Sequence, residues 1–123
     1  MHYLILILFI ANSITAQEPK EFPEIINGNC SKAKDHDMAH YEVVHKDSIP
    51  LISRNTTVTW YGDEKIYCIK VLNEYLKRYG NGGGTAFIKN GGLGHHYITI
   101  EMHSDKGGGM EFIIFLYGRK DYN

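Results

Sequence analysis

The fold of this chain is decided by residues 85–118, which read TAFIKNGGLGHHYITIEMHSDKGGGMEFIIFLYG. Three apolar runs, at residues 85–88, 97–102 and 110–117, are separated by segments rich in glycine, asparagine, aspartate and serine. Runs of β-branched and aromatic residues bounded in this way are typical of strands joined by turns. The stretch therefore predicts consecutive strands and an all-β fold.

The glycines are interpreted as architectural, since eleven of the thirteen lie between Gly80 and Gly118. Glycine is the usual residue where a strand reverses or where φ must be positive. Residues 80–85 lack the Lys-Ser/Thr ending of a phosphate-binding loop, and they lead into a strand rather than a helix. We expect Gly92, Gly94 and Gly109 to need backbone angles closed to β-branched residues. The full set of predicted turn glycines is Gly91, Gly92, Gly94, Gly107, Gly109 and Gly118.

Upstream of this stretch, strands are predicted at residues 41–45, 51–60 and from residue 65 to Val71. Residues 17–31 read as an extended lead-in, and residues 32–40 as a loop or one helical turn. The segment 64–79 is ambiguous, because its apolar spacing also fits a helix ending at Gly80. Composition favours a strand to Val71, followed by a long polar loop in which a helical turn at residues 73–77 stays open.

The amino terminus predicts secretion. Residues 1–16 carry no Asp, Glu, Lys or Arg, and residues 3–11 are continuously apolar. This run is too short to span a bilayer and matches the apolar region of a signal peptide. We expect cleavage after Ala16, which leaves residues 17–123 as a single extracellular domain.

Charge and apolar patterning argue against two kinds of partner. The chain has 13 basic and 14 acidic residues, and no basic run is longer than Lys77-Arg78. A nucleic-acid-binding protein normally shows a basic stripe. No second apolar stretch approaches membrane-spanning length. The sequence therefore argues against nucleic acid and membrane as partners.

Cys30 and Cys68 are the two cysteines of the chain. In a secreted protein the oxidising route favours a disulfide between them. Two buried free thiols and a catalytic cysteine are the less favoured alternatives. Two glycosylation sequons also occur, at Asn29-Cys30-Ser31 and Asn55-Thr56-Thr57. We expect Asn55 to be occupied more fully than Asn29, because Cys30 competes at the first site.

Candidate chemistry is sparse. His36, His40 and His45 lie near Asp35 and Asp37, but no second cluster completes a zinc site, so a solvated polar loop is the favoured interpretation. The pair His95-His96 opens a strand, and its side chains should point to opposite faces. No Gly-x-Ser-x-Gly elbow is present. We predict no catalytic residues, no metal, no cofactor and no enzymatic activity.

The last strand predicts a contact surface. A strand with one face in water should alternate apolar and polar residues, and residues 112–116 do not. Phe112, Ile114 and Leu116 form the natural core face. Ile113 and Phe115 would then point away from the core, and we expect them to be covered by the N-terminal segment, a second subunit or an apolar ligand.

Residues 65–119 resemble the insect family named after multiprotein bridging factor two. The resemblance rests on a Gly-Gly-x-Gly turn at Gly91-Gly92-Leu93-Gly94, a turn from Ser104 to Gly109, and a final strand ending in Tyr117-Gly118. The resemblance implies a β-sandwich fold, which makes the chain a small antiparallel β-sandwich with glycine-rich turns. It assigns no catalytic residues.

The resemblance also implies two functions that conflict. One is a small secreted binding or effector protein of saliva, gut or haemolymph with a role in pathogen or stress response. The other is a transcription co-activator that acts by protein–protein contact. The signal peptide and the missing basic patch favour the secreted function. The expected partner is a protein, an apolar ligand or a second copy of the chain, and its identity is not predicted.

Overall fold

A computed structural model of the protein describes residues 20–120. The predicted signal peptide, residues 1–16, and the expected new terminus at Gln17 lie outside the described residues. Seven strands and one helix follow in order: β1 Ile25–Gly28, β2 Met38–Lys46, β3 Asn55–Tyr61, β4 Lys65–Asn73, α1 Glu74–Tyr79, β5 Thr85–Gly91, β6 Tyr97–His103 and β7 Met110–Arg119.

The strands form two antiparallel sheets. Four strands lie in the order β1-β4-β7-β2, and three in the order β3-β6-β5. Successive strands β5 and β6 pair directly, as the short turn between them predicts. By contrast, β7 lies between β4 and β2, so the last strand of the chain joins these two strands into the larger sheet. The prediction of an all-β, antiparallel fold is confirmed.

The core lies between the two sheets. From the larger sheet, Ile69, Val71, Phe112, Ile114 and Leu116 are fully buried, and they meet a matching set from the smaller sheet. That set is Val58, Ala86, Ile98, Ile100 and Met102. The alternation along β7 therefore places Phe112, Ile114 and Leu116 inward, as expected, because successive side chains of a strand point to opposite faces.

The ambiguous segment differs from the prediction. The strand continues to Asn73 rather than ending at Val71. The helical turn left open at residues 73–77 is present as a longer helix at Glu74–Tyr79, in place of most of the expected polar loop. Asn73 explains the sharp change, because its side-chain oxygen accepts a hydrogen bond from the amide of Leu76 at 2.8 Å and so caps the helix. Gly80, at φ +80°, ends it.

Three further boundaries also depart from prediction. The lead-in contains β1, which pairs with β4, and Phe22 forms a bridge with Ala86 of β5. Residues 51–54 precede β3 rather than belonging to it. For the segment predicted as a loop or one helical turn at residues 32–40, the structure has two short 3₁₀ turns within residues 30–37, and β2 already begins at Met38.

The predicted turn glycines divide into two groups. Gly91, Gly92, Gly94 and Gly107 have positive φ. Gly118 lies inside β7 and is not in a turn, and Gly91 is the last residue of β5. Gly109 has no positive φ. A Cβ there would instead lie 2.9 Å from the carbonyl oxygen of Lys46, so close approach of the backbone, not dihedral angle, favours glycine.

Candidate binding face

The side of the larger sheet that points away from the core carries a group of apolar side chains on neighbouring strands. Strand pairing defines two rows across it. Ile26, Lys70, Phe115 and Tyr41 form one row, and Leu72, Ile113 and Val43 form the next. We call these seven residues the outer face. Its strands β4 and β7 are apolar on both sides, which is typical of strands covered on both sides.

The outer face is partly open to water. Ile26, Tyr41 and Val43 are 64%, 52% and 47% exposed, whereas Leu72, Ile113 and Phe115 are half-buried. Tyr41 packs edge-on against Phe115, with ring centroids 5.2 Å apart. Neighbouring side chains therefore shelter Phe115 incompletely, and a contiguous apolar surface with a lysine at its centre remains available for contact.

A disulfide-bonded segment covers the end of this face nearest Tyr117. Cys68 lies on the outer side of β4 and is bonded to Cys30, which confirms the predicted disulfide. Cys30, Ala33 and Met38 pack against buried Cys68, Tyr67 and Tyr117 in a second, smaller apolar cluster. The disulfide thus holds residues 30–37 against the outer side of the sheet, where they form a cap over that end of the sheet.

Asp37 anchors the other end of the cap. Its carboxylate accepts hydrogen bonds from the Tyr67 hydroxyl at 2.6 Å and from Arg119 Nε at 2.9 Å. The bond from Tyr67, aided by Arg119, holds the pKa of Asp37 below its usual value although burial opposes this. Burial, followed by the hydrogen bond to Asp37, raises the pKa of Tyr67.

Helix α1 and an ion cluster bound the opposite end of the outer face. Glu111 contacts Arg78 of α1 at 3.4 Å and His45 of β2 at 3.1 Å. His45 also contacts Asp47 at 2.8 Å. Hydrogen bonding to Asp47, and then to Glu111, raises the pKa of His45. The bond from His45 lowers the pKa of Glu111. The charges of this cluster thus lie at one end of the apolar rows, whereas Lys70 is a charged residue within the first row.

The cover expected over Ile113 and Phe115 does not come from the described N-terminal residues, which pair with β4 and β5 instead. A second subunit or an apolar ligand stays a prediction. The sequence interpretation missed Tyr41, Val43 and Leu72 as members of the same face. The pattern Ile69-Lys70-Val71-Leu72 carried the same signal as residues 112–116, since it also lacks strict alternation.

Two other features are candidates for chemistry: a depression beside β1 and the histidines of β2. An open depression of about 500 Å³ lies beside β1 and is lined by Phe22, Ile25, Ile26 and Ile88 with charged residues at its rim. Within residues 20–120, no group of three or more His, Cys, Asp or Glu side chains could hold a metal ion. His40 contacts Glu42 and His45 contacts Asp47, so these two histidines face different partners.

The sequons occupy different surroundings. Asn55 is the exposed first residue of β3, and Asn29 is exposed immediately before the bridged Cys30. Occupancy at both stays a prediction. None of the helices in the described part of the chain has the length and apolar character needed to span a membrane.

Comparison with known proteins gives two similarities. The model of a family described as Transcription activator MBF2 matches residues 30–118. A probable salivary secreted peptide from Bombus ignitus is 41% identical over 56 residues, which make up 46% of this chain and 40% of that relative. The chain therefore matches about two fifths of the relative's length. No solved structure matches the chain.

Proposed function

Since the chain belongs to the transcription activator MBF2 family, we propose that this member is a secreted protein that acts by binding rather than by catalysis. Its compartment would be saliva, gut fluid or haemolymph, with a role in the response to pathogens or stress. Similarity to a salivary secreted peptide supports the compartment. The disulfide supports it as well, because such bonds persist in oxidising environments.

The observation that carries the binding function is the outer face. Its seven residues lie on one side of a rigid four-stranded sheet, with the disulfide-bonded cap at one end and α1 with its ion cluster at the other. Apolar surface framed by polar groups is the usual anatomy of a protein–protein contact. Tyr41 and Phe115 would supply the aromatic anchors that such contacts favour. An apolar ligand is the second kind of partner that this surface could accept.

The test uses the full chain secreted from insect cells and recovered from the tissue that makes it. Native mass spectrometry is expected to show the mature chain with a bound partner. Val43→Lys should abolish this complex, because it places a charge on the exposed part of the outer face. Leu51→Lys is the matched control, since Leu51 is an exposed apolar residue in the loop between β2 and β3. The proposal is contradicted if the parent, Val43→Lys and Leu51→Lys chains are all found without a bound partner.

The family description favours a second candidate, a transcription co-activator that contacts other proteins. A reporter fused to residues 1–20 separates the two. Export of the reporter supports the secreted function, and its retention in the cytosol or nucleus supports the co-activator. Activity screening of the secreted chain against common hydrolase substrates tests the proposed absence of catalysis.

A further inference from the structure

The two sheets have four edge strands, β1, β2, β3 and β5. The free side of an edge strand can pair with another chain, and proteins limit this with charges, short strands, bulges or covering segments. β1 is only four residues long. β2 carries Glu42 and Lys46 within the strand, and β5 carries Lys89 and is bridged by Phe22. Each of these three edges therefore has a recognisable protection.

Within residues 20–120, β3 has none of these protections. Its sequence, Asn-Thr-Thr-Val-Thr-Trp-Tyr from Asn55 to Tyr61, contains no charge and no proline. All seven residues pair with β6 on one side. On the other side, residues 20–120 provide no backbone hydrogen bond to the strand. An uncharged run of β-branched and aromatic residues on a free edge is the kind of segment that pairs between chains.

The strand without protein-based protection is the one that begins with a sequon. Asn55 and Thr57 are both exposed and point to the same side of the smaller sheet. The side-chain oxygen of Asn55 contacts His103 Nδ1 at 2.6 Å. Within residues 20–120 no hydrogen bond uses its Nδ2, the atom that would carry a sugar. The folded strand therefore accommodates a glycan at Asn55 without losing a contact.

We propose that Asn55 carries an N-linked glycan whose role is to keep the free edge of β3 from pairing with another chain. The proposal rests on the proposed secretion, since the modification takes place in the secretory pathway. Nδ2 of Asn55 forms a bond to C1 of the first N-acetylglucosamine of a lipid-pyrophosphate-linked oligosaccharide. The bond from C1 to the pyrophosphate oxygen breaks, the lipid pyrophosphate leaves, and Nδ2 loses one proton.

The spacing between paired strands explains how a glycan at Asn55 would keep another chain from pairing with β3. An incoming strand would lie about 4.8 Å from β3, and its side chain opposite Asn55 would lie about 5 Å from the Asn55 Cβ. A branched, hydrated oligosaccharide on that side chain occupies the same space and would have to give up its water. The glycan is thus placed where charges or short length protect the other edges.

The experiment compares three secreted variants with the parent chain. Thr57→Val destroys the sequon and leaves the edge uncharged. Thr57→Lys also destroys the sequon but places a charge on the same exposed position. Asn29→Gln removes the other sequon and is the control for loss of a glycan elsewhere. Glycopeptide mass spectrometry measures occupancy, and light scattering after size-exclusion chromatography measures association over a range of protein concentrations.

We expect a glycan at Asn55 in the parent, and a several-fold larger associated fraction in Thr57→Val. Thr57→Lys and Asn29→Gln should behave like the parent. An unmodified Asn55 in the secreted parent overturns the inference, as does a Thr57→Val chain that associates no more than the parent, or a Thr57→Lys chain that associates as strongly as Thr57→Val.

Failure of the proposed function looks different. A chain retained inside the cell contradicts both proposals, whereas a chain in the medium with no glycan contradicts this one alone. Association through β3 should also persist when Thr57→Val is combined with Val43→Lys, because Val43 lies on the other sheet. Loss of association in that combination would assign the contact to the outer face instead and overturn the role given to the glycan.

Discussion

Asp37 shows how a single residue determines local structure in this protein. Its carboxylate joins the cap to β4 through Tyr67 and to β7 through Arg119. These partners are 30 and 82 positions away in the chain, so nothing in the local sequence distinguishes Asp37 from its neighbour Asp35. The residue was interpreted as part of a solvated loop, yet it is buried.

Asp37→Asn is expected to lower the free energy of unfolding by about 1–3 kcal/mol near pH 7, because charge-assisted hydrogen bonds are weakened. The pKa of Asp37 is lowered in the folded state. Its ionised form therefore stabilises the fold above the ordinary carboxyl pKa of about 3.9, and this stabilisation is lost as the pH falls through the lower folded value. Urea unfolding near pH 7 and about pH 3 measures the effect. Asp63→Asn, at an exposed position, is the control. An equal loss in both variants would show that the bonds of Asp37 to Tyr67 and Arg119 do not stabilise the fold.

Substitutions at Gly80 and Gly84 distinguish the cost of a left-handed backbone from the cost of a steric clash. Both have φ +80°. A Cβ at Gly80 would meet nothing within 4 Å, whereas a Cβ at Gly84 would overlap the carbonyl oxygen of His103. We expect Gly80→Ala to cost about 1 kcal/mol from the left-handed backbone alone, and Gly84→Ala to cost clearly more. Thermal unfolding of the two variants checks this, and equal midpoints would show that the loop relaxes freely.

At the scale of the elements, the cap and helix α1 define how much of the outer face is open. The disulfide holds the cap at Cys68, and the bonds of Glu111 hold α1 and the end of β2 beside β7. The raised pKa of His45 and the lowered pKa of Glu111 both indicate that this cluster is attractive when His45 is protonated. Its contribution is therefore present where Glu111 is ionised and His45 is protonated. It is lost as the pH rises through the raised pKa of His45, and also as the pH falls through the lowered pKa of Glu111.

Replacing both Cys30 and Cys68 with alanine is expected to destabilise the protein by about 4 kcal/mol, because the bond closes a loop between residues 38 positions apart. The cap should loosen first, since it depends on the bond directly. Denaturant unfolding gives the total loss, and amide exchange of residues 30–37 reports the cap. If exchange in the cap rises no more than in β6, the disulfide does not act through this segment.

At the scale of the whole molecule, two sheets share one core, and the larger sheet is apolar on both sides. Ile113 and Ile114 are chemically identical neighbours that point to opposite sides of β7. Ile114 is fully buried between the sheets, and Ile113 is half-buried on the outer face. The same residue type thus serves stability in one position and is available for contact in the next.

Ile114→Ala is expected to cost about 2–5 kcal/mol, because it leaves a cavity in the core. Ile113→Ala should cost less, since its side of the sheet can relax toward solvent, but it should weaken any complex formed by the outer face. Equilibrium unfolding and native mass spectrometry of both variants separate the two effects. Equal destabilisation of the two variants would show that the outer face is packed as tightly as the core.

The sequence alone predicted the described strands other than β1, though not all their boundaries, because strand signals are local. Alternating or continuous runs of β-branched residues between glycine-rich turns identify β5, β6 and β7 without any distant information. Two cysteines in a chain with a signal-like amino terminus favoured a disulfide between them, and the structure contains it. The non-alternating residues 112–116 indicated that β7 is apolar on both sides, and the structure places Ile113 and Phe115 outward as expected.

Only the tertiary structure decided what depends on pairs distant in the chain. The insertion of β7 between β4 and β2 brings Ile113 between Leu72 and Val43, and this pairing creates the outer face. The burial of Asp37 and the free edge of β3 follow from the same long-range contacts. A run of residues specifies which way its side chains alternate, but strand order specifies which neighbours they meet, and that order is fixed by the packing of the whole core.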